Sequence, residues 1–409
     1  MSSNHASKKI LIYSPHTSGH RQVYCNVIAD WALDSGMEVL LYVGNDWSNS
    51  ENPSEKISPY IEMYKNNTSV SIINCDIYAK NQNISLTNFA QNPFLVSDSK
   101  HLIDMEKKFN PDLVFVIAGD EFNHSPYSIL KNLAGVKKHS SKWIAIFISP
   151  YCYPSEKWLK RNILKVALRQ KVKHFDIRYW LDEYFVNDTD IKNSFWLPDI
   201  SKSFNFDENH ADEDTESLCS RIDSFLSNNQ EKEVLLFFGS YFNRKGFDFL
   251  LELALNDKQF VILRAGNTSE SDRSPEFTDK MITLENKGQL LNIPTFVRSP
   301  VVIEKLFNST NFIPLPYRNH YSSSGVMLQA MEFRKPVIVP DVGLMGGRVT
   351  HNNIGITYKH GDYEDFKNAV YSMQKSYDKY ENNINNYYIQ FSKENLFKHL
   401  NMMVKNNRE

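Results

Sequence analysis

The chain has 409 residues, too many for one hydrophobic core and enough for two domains of roughly 150–200 residues each. Lysine plus arginine (46) and aspartate plus glutamate (48) leave a formal charge of −2, which excludes the net basic surface that nucleic-acid binding requires. With 41% apolar and 13% aromatic residues, the composition is that of packed cores and not of a disordered chain.

The polar start runs directly into an apolar segment at Lys9, which predicts no signal peptide. Short apolar runs predict strands at 9–13, 38–43, 70–73, 113–118, 143–148 and 184–186, with a helix from about 21 to 34. Most of these runs are apolar throughout, as in strands covered on both faces, and none approaches the roughly 18–20 residues of a membrane span. The polar stretch 202–233, with some helix at 218–226, marks a crossing into a second domain. There the pattern restarts, with strands at 234–238, 260–265, 295–297, 312–315, 336–339 and 355–358 and a flexible turn at 343–347. From 363 onward the tail reads as helical, with a break near 382–386.

This predicts an α/β protein of two doubly wound, Rossmann-like domains facing across a cleft. The division is 1–199, a crossing at 200–232, a second domain at 233–380, and a helical tail, 381–409, packing back toward the first. Cys25, Cys75, Cys152 and Cys219 are widely spaced with no CxxC pair, which reads as reduced cytosolic thiols and neither a disulfide framework nor a zinc cage.

Three segments at strand ends carry candidate chemistry. After the first strand, Ser-Pro-His-Thr-Ser-Gly-His places Gly19 where a backbone can approach a ligand and His20 at a helix start; an ordinary strand-to-helix turn is the alternative. After the first strand of the second half, Ser240, Arg244, Lys245 and Gly246 form a loop with two adjacent cations, suited to a phosphate or simply solvated. The third segment runs from Pro316 to Met331. Here Ser322, Ser323 and Ser324 cap a helix, and Arg318 precedes it. Together with Arg244 and Lys245 this makes a diphosphate clamp.

The order Phe-Gly-x(5)-Lys-Gly, then Pro-Tyr…Ser-Ser-Gly-Val-x-Leu-x-Ala-Met, then Lys-Pro-Val-Ile-Val-Pro-Asp-Val-Gly resembles the donor domain of GT-B glycosyltransferases of the family 4 (glycosyl transferases group 1) type, with strong motif matches confined to about 234–356. The resemblance implies transfer of a sugar from a nucleoside-diphosphate sugar to a glycan or lipid-linked acceptor, with retention of configuration, no dinucleotide cofactor and no metal. It places Lys245 on the diphosphate, with Ser323, Ser324 and Gly325 at the phosphate-binding helix start. The family arginine falls on Ser240, leaving Arg244 as a substitute. The family's paired glutamates fall on Tyr321 and Gln329; Gln329 keeps hydrogen-bonding capacity toward a ribose, and neither position keeps a carboxylate. For activating the acceptor hydroxyl the candidates are His20, Asp120, Glu121 and His124, with His20 first. A non-catalytic protein of the same fold, binding a nucleotide sugar or glycan, is the alternative.

One further feature is a basic run. Lys157, Arg161, Lys165, Arg169 and Lys173 recur every four residues, with Lys160 and Lys171 beside them and no acidic residue between. A helix of this kind suits an anionic membrane surface, giving a cytoplasmic protein peripheral on the inner membrane face. The alternative is a surface helix whose cations face water or pair with acids near 207–216.

Overall fold

The computed structural model describes residues 7–15, 20–44, 63–75, 98–120, 122, 139–148, 165–166, 168–200, 215–239, 243–267 and 274–405. Contacts divide the chain into two units, Met1–Asp199 with Lys393–Glu409, and Ile200–Ser392.

The first unit is built on apolar strands, the central ones buried along almost their whole length and the two edge strands only in part. Its sheet is parallel, in the order β3-β2-β1-β4-β5-β6-β7. The strands are β1 (Lys9–Ser14), β2 (Glu38–Val43), β3 (Val70–Asn74), β4 (Leu113–Val116), β5 (Lys142–Phe147), β6 (Ile177–Trp180) and β7 (Ser194–Trp196). Helix α1 (His20–Asp34) carries the chain from β1 to β2, and α2 (Asp98–Phe109) precedes β4. The chain winds outward from β1 to β3 and then returns to the other side of β1 at β4. Strand order therefore reverses between β1 and β4, where open α/β sheets place their ligands.

One expected strand is a helix. Residues 184–186 lie in α3 (Glu183–Asp188), because Asp182 caps it, its carboxylate accepting from the Tyr184 N–H at 3.0 Å and the Phe185 N–H at 2.9 Å.

In the second unit, helix α4 (Thr215–Ser227) leads into two three-stranded parallel sheets, ordered β10-β9-β8 and β11-β12-β13. Their strands are β8 (Glu233–Phe238), β9 (Phe260–Ala265), β10 (Leu290–Ile293), β11 (Ile313–Pro314), β12 (Val337–Pro340) and β13 (Gly355–Tyr358). The Thr310 hydroxyl donates to the Val234 carbonyl at 2.5 Å, which sets the start of β11 against β8. Order again reverses between the first strand and the fourth. Helices α5 (Phe247–Asn256), α6 (Pro275–Asn286), α7 (Pro300–Asn308), α8 (Gly325–Glu332), α9 (Gly343–Asn352) and α10 (Tyr363–Gln374) make the connections.

Three expectations need correcting here. The strand placed at 295–297 is β10, five residues earlier. Gly288, at φ +65°, ends the preceding turn, and the buried Gln289 amide donates to the Ala254 carbonyl at 3.2 Å, fixing the entry to β10. Residues 343–347 are no flexible turn but the first half of α9. A Cβ on Gly346 would come within 2.8 Å of the Asp341 backbone, so the missing side chain serves close helix packing. Nor does the tail break at 382–386: α11 (Glu381–Tyr388) runs through it, seated by buried Ile384 and Tyr387.

Residues 381–392 stay in the second unit, and α12 (Lys393–Lys405) belongs to the first. There the Lys393 ammonium pairs with Asp30 at 2.9 Å and the Trp31 indole donates to Asn401 at 2.9 Å. Cys25, Cys75 and Cys219 are free thiols, the first two buried; Cys152 lies outside the described residues.

Candidate functional site

The point where strand order reverses in the second unit is built by two loops held together by their backbones. Beyond β8, Gly239 adopts φ +91°. The chain then reaches a short 3-10 turn, Asn243–Lys245, followed by Gly246 at φ +67°. A Cβ on Gly246 would lie 1.9 Å from the Pro316 carbonyl oxygen, so only glycine lets this loop touch the one after β11. The Arg318 N–H donates to the Arg244 carbonyl at 2.6 Å, closing the same seam.

This seam aims Lys245. Its Nζ lies 2.9 Å from where a Gly239 Cβ would sit, and Val326 Cγ2 of α8 lies 3.9 Å from the same point. The ammonium therefore occupies the room that glycine leaves, next to the first turn of α8. It also stands 5.7 Å from the Tyr317 ring centroid, and the buried Tyr317 hydroxyl is 3.5 Å from the Ser324 hydroxyl at that helix start.

Helix α8 opens as the serines imply. The Ser324 hydroxyl accepts from the Met327 N–H at 3.3 Å and its carbonyl from the Leu328 N–H at 3.1 Å. The N–H groups of Ser324, Gly325 and Val326 have no acceptor among the described residues. Three adjacent amides and the positive end of the helix dipole are suited to an anion. Ser323 is held from two sides: Arg348 Nη1 donates to its hydroxyl at 3.0 Å, and His320 Nε2 donates to its carbonyl at 3.0 Å. His320 Nδ1 in turn accepts from Arg244 at 3.1 Å.

Burial pushes the Lys245 ammonium down to about 8, with the neighbouring Arg244 charge adding to the effect. No carboxylate among the described residues pairs with it. A desolvated cation beside free amides is suited to a phosphate group, whose charge would restore what burial removes.

Sequence reasoning thus brings Lys245, Ser323, Ser324 and Gly325 to one place, with Arg244 at the exposed rim. Tyr321 and Ser322 are half-buried, and the Tyr321 carbonyl accepts from the Leu344 N–H at 2.9 Å. Gln329 is buried one turn into α8. Arg318, on the same seam, has its guanidinium paired with Asp248 at 2.5 Å and 4.8 Å from the Phe249 ring centroid. Arg348 was missed. It lies on α9 between apolar neighbours, and nothing in its spacing distinguishes it from a surface cation.

In the first unit His20 is the first residue of α1. Asp120, a candidate base, is buried, and its Oδ1 accepts from the Ile148 N–H at 3.2 Å, stapling the ends of β4 and β5. Gly19, Glu121, His124, Ser240, Lys157, Lys160 and Arg161 lie outside the described residues. The remaining basic run does not form one face. Lys165, Arg169 and Lys173 are exposed, but Lys171 is buried and donates to the Asp120 carbonyl. The four-residue repeat ends where helix gives way to a 3-10 turn at Val172–His174. Arg169 pairs with Asp190 at 2.8 Å. No helix among the described residues is long and apolar enough to cross a membrane.

Residues 232–376 match the family described as Glycosyl transferases group 1. No curated protein matches the sequence. Among solved structures, sucrose-phosphate synthase from Thermosynechococcus elongatus is similar at 14% identity and TM-score 0.65, over 98% of both chains. Anabaena HepE in complex with UDP is similar at 12% identity and TM-score 0.63, over 98% of this chain and 100% of that one. WaaG, a glycosyltransferase involved in lipopolysaccharide biosynthesis, is similar at 13% identity and TM-score 0.59, over 96% and 98%. The chain therefore has the GT-B fold, and its match to the glycosyl transferases group 1 family lies within the second unit.

Proposed function

We propose that the protein is a glycosyltransferase that takes its sugar from a nucleoside-diphosphate donor held in the second unit. The observation that carries this reading is the Lys245 ammonium resting in the space left by Gly239, beside the open amides of α8. As the glycosidic bond to the donor breaks, negative charge grows on the departing diphosphate. A cation and helix amides placed there stabilise the transition state more than the ground state, which is what raises the rate. Complexes of HepE with UDP and with UDP-glucose support a uridine diphosphate donor and hexosyl transfer. The lipopolysaccharide role of WaaG supports a glycan or lipid-linked acceptor in surface polysaccharide or glycolipid synthesis. Retention of configuration and contact of Lys165, Arg169 and Lys173 with an anionic membrane complete the proposal.

The test is release of nucleoside diphosphate from UDP-, GDP-, ADP- and TDP-linked hexoses in the presence of glycan and lipid-linked acceptors. Release by the native chain and its loss in Lys245→Ala support the reading. The neutral side chains of Tyr321 and Gln329 favour a second one, a nucleotide-sugar binder without turnover. Tight binding with no release across that panel would establish the binder.

A further inference from the structure

We infer that His320 and Arg348 are positioning residues: together they fix Ser323, and through it the amides that open α8. This inference rests on the donor-binding reading above. Arg348 lies outside the segment that pointed to the site, His320 lies inside it without having been a candidate, and both converge on one residue.

The Ser323 carbonyl can only accept, so His320 Nε2 carries the proton and its Nδ1 lone pair faces the Arg244 guanidinium. A directed chain results, Arg244 to His320 to Ser323. Because the peptide unit is planar and trans, pinning the Ser323 carbonyl sends the Ser324 N–H to the opposite side, away from His320. That N–H is the first of the three without an acceptor.

The Ser323 hydroxyl is fixed independently. Arg348 is fully buried, donates to that oxygen at 3.0 Å, and sets its guanidinium 5.1 Å from the Phe391 ring centroid. Its neighbours on α9, Leu344, Met345 and Val349, are apolar and buried. A cation among them is costly unless its donors are matched, and a planar fork stacked on a ring has little freedom to drift. Arg348 therefore acts as a rigid post. With both bonds in place the amides keep their aim when no ligand is present, and binding need not organise them.

The experiment is calorimetric titration of the full chain with UDP, GDP, ADP and TDP, alongside thermal unfolding. Arg348→Met keeps length without donors; His320→Phe keeps the ring without nitrogens. Each should weaken the nucleotide that the native chain binds by about tenfold, the effect of one lost oriented contact. In a Ser323→Ala background Arg348→Met should cost clearly less, because its acceptor is already gone; a merely structural arginine would show no such coupling. Folded Arg348→Met and His320→Phe proteins that bind as the native chain does, while Lys245→Ala does not, overturn the inference and leave the donor site standing. A native chain that binds none of the four nucleotides, or Lys245→Ala binding normally, overturns the donor site itself. If Arg348→Met fails to fold, the half-exposed His320→Phe decides the matter alone.

Discussion

Each unit puts a glycine just past a central strand, and the two glycines are used in opposite ways. After β4, the space left by Gly119 is filled by the side chains of Ala145 and Phe147, both 2.9 Å from where a Cβ would stand. The lysine nearby, Lys171, is buried against the Asp120 carbonyl. After β8, the space left by Gly239 holds the Lys245 ammonium, with no carboxylate among the described residues to answer it. One sheet end is closed by packing; the other is filled by a cation. Similar strand-end grammar thus yields a structural staple or a ligand site, depending on what fills the missing Cβ.

The comparison is broken most sharply by exchanging lysines. Lys245→Ala should lower nucleoside-diphosphate affinity by roughly 10–150-fold, the value of a charge-assisted contact of about 1.5–3 kcal/mol. Lys171→Ala should leave that affinity unchanged and cost about 1–3 kcal/mol of stability, because a buried carbonyl loses its donor. Calorimetric titration and chemical denaturation separate the two, and equal affinity losses would erase the distinction.

The glycines give the next largest effect. In Gly239→Val the new side chain displaces the ammonium and strains a backbone at φ +91° by roughly 1–3 kcal/mol, so affinity should fall about tenfold or more. Gly119→Ala should instead overpack Phe147 and lower the melting temperature with no change in nucleotide binding. A Gly119 variant with weakened binding would mean that the first unit's strand end is also a ligand site.

pH sharpens the contrast because it moves stability and affinity in opposite directions. Lys245 sits near 8 in the folded chain, against 10.5 for the free ammonium. Between those values the unfolded chain holds a proton that the folded one has lost, so this group makes stability rise with pH across the window. Affinity for a diphosphate is full below about 8 and should fall up to about tenfold by pH 9, as the cation disappears. Comparison with Lys245→Met isolates both slopes; identical profiles for the two proteins would remove Lys245 from the site.

Much of this was legible in the sequence. Strands such as β1, β8 and β9 are apolar runs buried except at some ends, and the glycine and serine positions around α8 follow from the needs of tight turns and helix caps. What escaped depended on a local cap, on a close backbone approach and on partners remote in the chain. Residues 184–186 look like a strand until Asp182 is seen as a cap, and Gly343 to Gly347 look flexible until Gly346 is found against the Asp341 backbone. Arg348 reaches a hydroxyl 25 positions earlier and a ring 43 positions later (348 − 323 and 391 − 348), and no local periodicity encodes either.

The same dependence on remote partners divides the basic run, and here the expected effect is smallest. By spacing, Lys171 and Lys173 are equal members of a cationic stretch. In the fold one is buried against Asp120 and the other is exposed, with its ammonium 2.9 Å from Gln170. A lysine near an anionic surface contributes about 1 kcal/mol, so Lys173→Gln should lower partitioning onto phosphatidylserine vesicles about fivefold in low salt, and Lys165→Gln similarly. Arg169→Gln should do less, since that guanidinium already faces Asp190. Sedimentation with neutral vesicles supplies the reference. If the exposed lysines can be neutralised with no change in partitioning, membrane contact through this run is wrong, and its cations are solvated surface charge around one buried staple.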